Sequence, residues 1–329
     1  MRIIPTIAIA VIPLVTGCAS ESSEDRPVVA VTYSVLGSVV TELVGDNAVV
    51  NVVIPDGVDP HSFEPSAKDI EAINNAALVV ANGLHLEEGL EDVLDTLAAD
   101  KVFYAADFIT TREMKELDDH AHEDEHAHEE NHSHEEEKTD ETSTTVAEMS
   151  TEDDHSHDEH AHGGIDPHLW LSPFAMSEFV DELTTALESV LGVDLADQSA
   201  EVLDSLAALD TEISNQFGQL ETCEMITGHD ELGYFADRYG CELIGAIVPS
   251  ATTSAEASAQ QLAELKKLVD EHQVKAIFTS LGTPQKVAEQ VANETGVQLV
   301  ELSTHVMGES DTYADFMRLL ADNVVNALS

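Results

Sequence analysis

Short β-branched runs alternate with helix-period segments along most of this chain, and that alternation admits few architectures. The sequence predicts strands at 28–32, 51–54, 78–81 and 102–104, with helices at 36–44, 66–75 and 84–97 between or after them. A second alternation follows, with strands at 224–227, 243–248, 276–279 and 298–302 and helices at 232–239, 255–271, 284–295 and 312–328. Strands separated by helices form βαβ units and a parallel sheet. Helical pattern also covers 173–191, and a longer run, 195–220, carries no proline and no internal glycine before Gly218. The order predicts an α/β fold of two lobes, each a mostly parallel sheet flanked by helices. The first is expected at 27–193 and the second at 222–329, joined by one long rigid helix at 194–221. A length of 329 residues suits two domains. Such sheets take ligands at the carboxyl ends of their strands, here between the lobes.

The N-terminus reads as an export signal. Arg2 is followed by an apolar stretch, 3–15, that is too short to span a bilayer. It ends in Val15-Thr16-Gly17-Cys18, the pattern of a lipoprotein signal. Cleavage after residue 17 is expected to leave Cys18 lipidated, with 18–26 as a tether to the outer face of the membrane. Export places Cys223 and Cys241 in an oxidising compartment, where a disulfide is the expectation. Each precedes a short apolar run, so neighbouring parallel strands bring the two within range.

The segment 118–164 differs in kind. It holds ten histidines (His120, His122, His126, His128, His132, His134, His155, His157, His160 and His162) and eighteen acidic residues, with almost nothing apolar. It lacks the apolar area needed to fold alone and is expected to be a disordered loop. Its His-x-His pairs offer many nitrogen donors, and imidazoles near their ordinary pKa of ~6.5 bind metal at neutral pH and release it in mild acid. A solvating acidic linker accounts for the carboxylates but not for ten histidines.

Six histidines lie elsewhere: His61, His85, His168, His229, His272 and His305. His85 and His272 sit in helix-like runs with charged neighbours and read as surface residues. The other four end or follow predicted strands. His61 and His168 each stand in Asp-Pro-His, where proline restricts the backbone before the imidazole. The segments Asp-Gly-Val-Asp-Pro-His-Ser-Phe-Glu-Pro (56–65), Asp-Pro-His-Leu-Trp-Leu-Ser-Pro (166–173) and Gly-His-Asp-Glu-Leu-Gly-Tyr-Phe-Ala-Asp-Arg-Tyr-Gly (228–240) resemble the metal-ligand segments of the cluster A-I solute-binding proteins. Those proteins serve ABC importers of zinc and manganese. The likeness runs from about residue 27 to residue 329, and the histidine-rich loop is typical of the zinc branch. The resemblance implies an ion held between the lobes, by His61 and His168 from the first and His229 from the second.

Three imidazoles favour zinc, copper or nickel over manganese, which prefers oxygen donors. Zn(II) is therefore the expected cargo, in a roughly tetrahedral site. The family usually places an aspartate after the final core strand, and this chain reads Glu301-Leu302-Ser303-Thr304-His305. His305 is the candidate fourth ligand and Glu301 the second choice. At Thr279-Ser280, zinc-binding relatives often carry a glutamate; the sequence gives no reason for that change.

The resemblance implies a non-enzymatic capture protein that delivers zinc to a permease and acts as a monomer. A zinc-buffering surface protein or adhesin explains the loop but leaves a two-lobed core without use. A zinc hydrolase, with Glu64 or Asp230 as base, lacks a His-Glu-x-x-His motif.

Net charge is −52, from 65 acidic and 13 basic residues, which excludes nucleic acid as a partner. Removing the loop's eighteen acids still leaves 47, so the loop does not account for the acidity. Screening by strong salt relieves such self-repulsion, and a surface adapted to high salt follows. The unfolding midpoint should rise steadily as potassium chloride is raised from low to molar concentration. A midpoint independent of salt would remove that explanation.

Overall fold

The computed structural model describes residues 26–114, 164–250, 253 and 257–329. Cys18, the expected lipidation position, and the ten histidines of 118–164, His120 to His162, lie outside them. Within the described residues the first half contains β1 (Val28–Val31), α1 (Ser34–Val44), β2 (Val49–Val52), α2 (Ala67–Asn75), β3 (Leu78–Ala81), α3 (Glu91–Leu94) and β4 (Val102–Tyr104). Then come α4 (Pro173–Glu178), α5 (Val180–Leu191) and α6 (Ala196–Phe217). The second half contains β5 (Glu224–His229), α7 (Gly233–Tyr239), β6 (Glu242–Val248), α8 (Ala259–His272), β7 (Ala276–Thr279), α9 (Gln285–Thr295), β8 (Gln298–Glu301) and α10 (Tyr313–Leu328).

Two four-stranded sheets result, in the orders β2-β1-β3-β4 and β6-β5-β7-β8, and every pairing is parallel. The expected fold class is therefore the observed one. The central strands explain themselves chemically: β3 reads Leu-Val-Val-Ala and β7 Ala-Ile-Phe-Thr, both buried along their length. Parallel strands covered on both faces need such unbroken apolar runs. Helix starts are specified locally. Ser66 and Asp69 form a reciprocal cap on α2, and Ser258 and Gln261 do the same on α8.

Two expectations fail in detail. The predicted helix 84–97 is only the short α3, preceded by a tight turn over Glu88–Leu90. Gly83, Leu84 and His85 all have positive φ, which no helix accommodates. The chain doubles back there so that Glu87, 3% exposed, can accept from Thr32 Oγ1 at 2.6 Å and Asn82 N at 2.7 Å. The pattern at 173–191 also divides, into α4 and α5 at Phe179, whose ring is fully buried.

Helix α6 runs 22 residues and buries Val202, Leu206, Leu209, Ile213 and Phe217 along one stripe. At 1.5 Å per residue it is about 33 Å long. It packs on α4, α5 and α1 of the first half and on α10 and α7 of the second. Helix α10 packs on α6 and also on α1. The last helix thus returns to the first sheet's cover, and one apolar core holds residues of both halves, from Val29 and Leu36 to Phe278 and Met317.

Cys223 and Cys241 are joined by a disulfide across the start of β5 and β6, with their Cα atoms 4.6 Å apart. The cross-link spans 18 residues, and a loop of that size contributes about 3 kcal/mol by restricting the unfolded chain. Replacing both cysteines by serine should lower the free energy of unfolding by about that much in a denaturant titration.

Candidate metal centre

The two Asp-Pro-His elements build the same device twice. In each, an aspartate two residues before the histidine accepts its backbone N–H: Asp59 Oδ1 from His61 N and Asp166 Oδ1 from His168 N, both at 3.0 Å. The intervening proline fixes φ, so the imidazole leaves the backbone in one direction. Each aspartate then uses its other oxygen for a distant group. Asp59 Oδ2 accepts from Thr253 Oγ1 at 2.6 Å, and Asp166 Oδ2 from Arg112 Nη1 at 3.1 Å. Arg112 Nε also donates to Asp237 Oδ2 on α7 at 2.7 Å. A Cβ at Gly233 would stand 2.1 Å from Arg112 Nη1, so glycine is required where α7 approaches this pair.

The second sheet supplies two more imidazoles. His229 is the last residue of β5, and His305 follows β8. Just before His229, a Cβ at Gly228 would lie 1.9 Å from Thr283 Oγ1. Thr304 is fixed by Trp170, whose Nε1 donates to its carbonyl at 2.7 Å.

All four side chains meet. His61, His168, His229 and His305 are buried, with one nitrogen of each lying within 4.8 Å of the others. The six ring-centre separations span only 5.3 to 5.9 Å. Six nearly equal edges make a near-regular tetrahedron. An edge of about 5.6 Å puts its centre about 3.4 Å from each ring centre. A Zn–N bond of about 2.0–2.1 Å plus roughly 1.1 Å from nitrogen to ring centre requires about 3.2 Å. The ring centres are therefore spaced as a tetrahedral ion requires.

The electrostatics agree. His168 Nδ1 lies 2.8 Å from Asp166 Oδ1, which holds the ring proton there and leaves Nε2 free. Nε2 of His61 and of His168 stand 3.2 Å apart. Burial lowers His61 and His229 to about 4, and pushes His168 and His305 well below the usual imidazole range. All four are thus neutral at pH 7, the form that binds metal. Four of their buried nitrogen atoms, His61 Nδ1, His229 Nδ1 and Nε2, and His305 Nε2, have no hydrogen-bond partner in the protein. Burial also pushes the carboxyls of Asp166 and Asp230 up to about 6 and that of Glu231 to about 8.

A sequence profile of the family described as ZnuA, zinc-uptake complex component A, periplasmic, matches residues 29–327. The chain belongs to the ZnuA family. The zinc-binding protein AdcA of Streptococcus pyogenes (serotype M6) is 27% identical over 284 residues, covering 85% of this chain and 51% of AdcA. The chain thus spans about half the length of that relative. The manganese-binding lipoprotein MntA of Halalkalibacterium halodurans is 24% identical over 340 residues, covering 98% of each chain. Among solved structures, the periplasmic zinc-binding protein TroA of Treponema pallidum superposes with a TM-score of 0.69 at 22% identity, over 92% of this chain and 99% of that one. A ZnuA crystal structure gives 0.70 at 22% identity, over 93% and 100%. These likenesses establish the two-sheet fold of the family.

Of the other sequence candidates, Glu301 ends β8 with an exposed side chain, outside the histidine cluster. Glu64 is exposed as well. His85 is exposed, with Nδ1 2.7 Å from Glu91 Oε1, and His272 ends α8, half-exposed beside Glu224. Sequence reading missed Glu231, 2% exposed, which accepts from Ser280 Oγ and, at 2.7 Å, from Thr304 Oγ1. The two places where the chain departs from the family pattern, 279–280 and 303–305, therefore meet at one carboxyl group. Nothing local marks Glu231; its partners are 49 and 73 residues away.

Trp170 is the chain's single tryptophan, buried with its ring 5.3 Å from both His168 and His305. Saturating zinc should change its fluorescence, and the Trp170→Phe variant should be silent. Emission indifferent to zinc in the wild-type chain would place the binding event elsewhere.

Proposed function

We propose that the chain is the extracytoplasmic zinc-capture component of an ABC importer, binding one Zn(II) through His61, His168, His229 and His305 and delivering it to a permease. Lipidated Cys18 tethers it to the membrane as a monomer, and it performs no catalysis. The observation that carries this reading is the near-regular tetrahedron of four buried, neutral imidazoles, together with membership of a zinc-uptake family. Zinc rather than manganese follows from the donor set, since an all-nitrogen site suits zinc and manganese prefers oxygen. The name of AdcA agrees with this reading. Among the described residues no helix is long and apolar enough to cross a membrane.

Capture divides between two kinds of site. The histidines of 118–164 raise the local zinc concentration through many weak sites, and the interlobe cluster takes one ion tightly. Deleting 118–164 should leave one tight site and remove the weaker ones, while His168→Ala should do the reverse; isothermal titration measures both. Loss of the tight site on loop deletion would refute the assignment.

The two classes should also part in pH. The histidines of 118–164 are assigned the ordinary imidazole pKa of ~6.5. His61 and His229 stay neutral down to about 4. Acidifying the zinc-loaded chain should therefore release metal in two steps, a loop step near pH 6 to 7 and a core step at least about one pH unit lower. Only the lower step should survive loop deletion.

A further inference from the structure

The reading above leaves one buried group without a task. Glu231 lies two residues past His229, with its amide held by the His229 carbonyl at 2.9 Å. Its Oε1 meets Ser280 Oγ, and its Oε2 accepts from Thr304 Oγ1 at 2.7 Å. Thr304 Oγ1 also lies 2.9 Å from His305 Nδ1. A hydroxyl has one proton to give. With Oε2 of Glu231 as the acceptor for the Thr304 proton, Thr304 accepts from His305, which puts the ring proton of His305 on Nδ1. That leaves Nε2, buried and without a partner in the protein, carrying a lone pair toward the other three histidines. A carboxyl proton on Oε1, shared with Ser280, leaves the Thr304 arm unchanged, and the relay has the proton there and not on Oε2.

We propose that Glu231 is a positioning residue for His305: acting through Thr304, it fixes the tautomer and ring orientation that present Nε2 to the metal. The inference rests on the reading of His305 as a ligand. His168 receives the same service directly from Asp166; His305 receives it through the closer Thr304 hydroxyl, at 2.9 Å, with Glu231 Oε2 itself 3.5 Å from Nδ1. Groups that orient a ligating imidazole typically matter by 10–100-fold in affinity. Trp170 and Tyr313 hold the surrounding backbone, through Thr304 O at 2.7 Å and Trp170 O at 2.8 Å. That leaves the tautomer as the degree of freedom that Thr304 and Glu231 decide.

The test compares variants that break the relay with variants that keep it, in the full chain. Thr304→Val and Glu231→Met remove a link, whereas Thr304→Ser and Glu231→Gln retain a hydroxyl and an acceptor. Zinc affinity is read by chelator competition, and the His305 ring nitrogens by 15N NMR of the zinc-loaded protein. Thr304→Val and Glu231→Met should weaken zinc binding by roughly tenfold or more and remove the metal-bound Nε2 signal of His305. The conservative pair should stay near wild type, and Thr304→Val should cost nothing further in a His305→Ala background. Melting of the zinc-free proteins controls for folding, and the Thr304 pair carries the test if Glu231→Met does not fold. Wild-type affinity and His305 signals in Thr304→Val would overturn the proposal. So would Glu231→Gln losing as much as Glu231→Met, since that points to charge rather than the relay. Tight zinc binding by His168→Ala would instead defeat the underlying reading of the site.

Discussion

Four imidazoles turned inward on one another, away from water, set the terms for everything around them. A buried polar atom with no partner costs about 1–3 kcal/mol, and four nitrogens of this cluster have none in the protein. The fold bears that cost because the rings are held by groups that cannot rearrange independently. Two aspartates fix the backbone of His61 and His168, a strand end fixes His229, and Thr304 lies beneath Trp170. Desolvation then does chemical work: it keeps the rings neutral, and neutral nitrogen is what a late transition metal takes.

The sequence was informative wherever a rule depends on near neighbours. Unbroken apolar runs disclose parallel strands, and they placed β3 and β7 where they lie. His61, His168 and His229 were legible because each sits in a distinctive local phrase, although only His229 ends a strand, and His305 because it follows the last strand. The helix expected over 84–97 failed for a reason no local rule contains: Glu87 has to reach Thr32 and the backbone at Asn82, so the chain turns sharply through three residues with positive φ. Arg112, Glu231 and Trp170 were invisible for the same reason. Arg112 owes its role to Asp166 and Asp237, Glu231 to Ser280 and Thr304, and Trp170 to Thr304 and Tyr313.

The departures at 279–280 and at His305 looked unrelated along the chain and are neighbours in space. Ser280 reaches one oxygen of Glu231, and Thr304 joins the other to His305. A nitrogen at position 305 needs its proton assigned to one side, and the hydroxyl and carboxyl behind it are suited to that assignment. Substitutions at such a site are best read as a set, because each removes or supplies a hydrogen-bond partner for the next.

Helix α10 closes the chain by packing against α1, the first helix, as well as against α6. The beginning and end of the polypeptide are therefore parts of one apolar interior, although the strands divide into two sheets. Loosening either end of that interior disturbs contacts made by the other, while a second apolar cluster, with Ile247, Leu265, Ile277 and Val291, lies between the second sheet and α8 and α9. A ligand that binds only where both halves are in place stabilises that joined state, by an amount that grows with the logarithm of its free concentration over the dissociation constant.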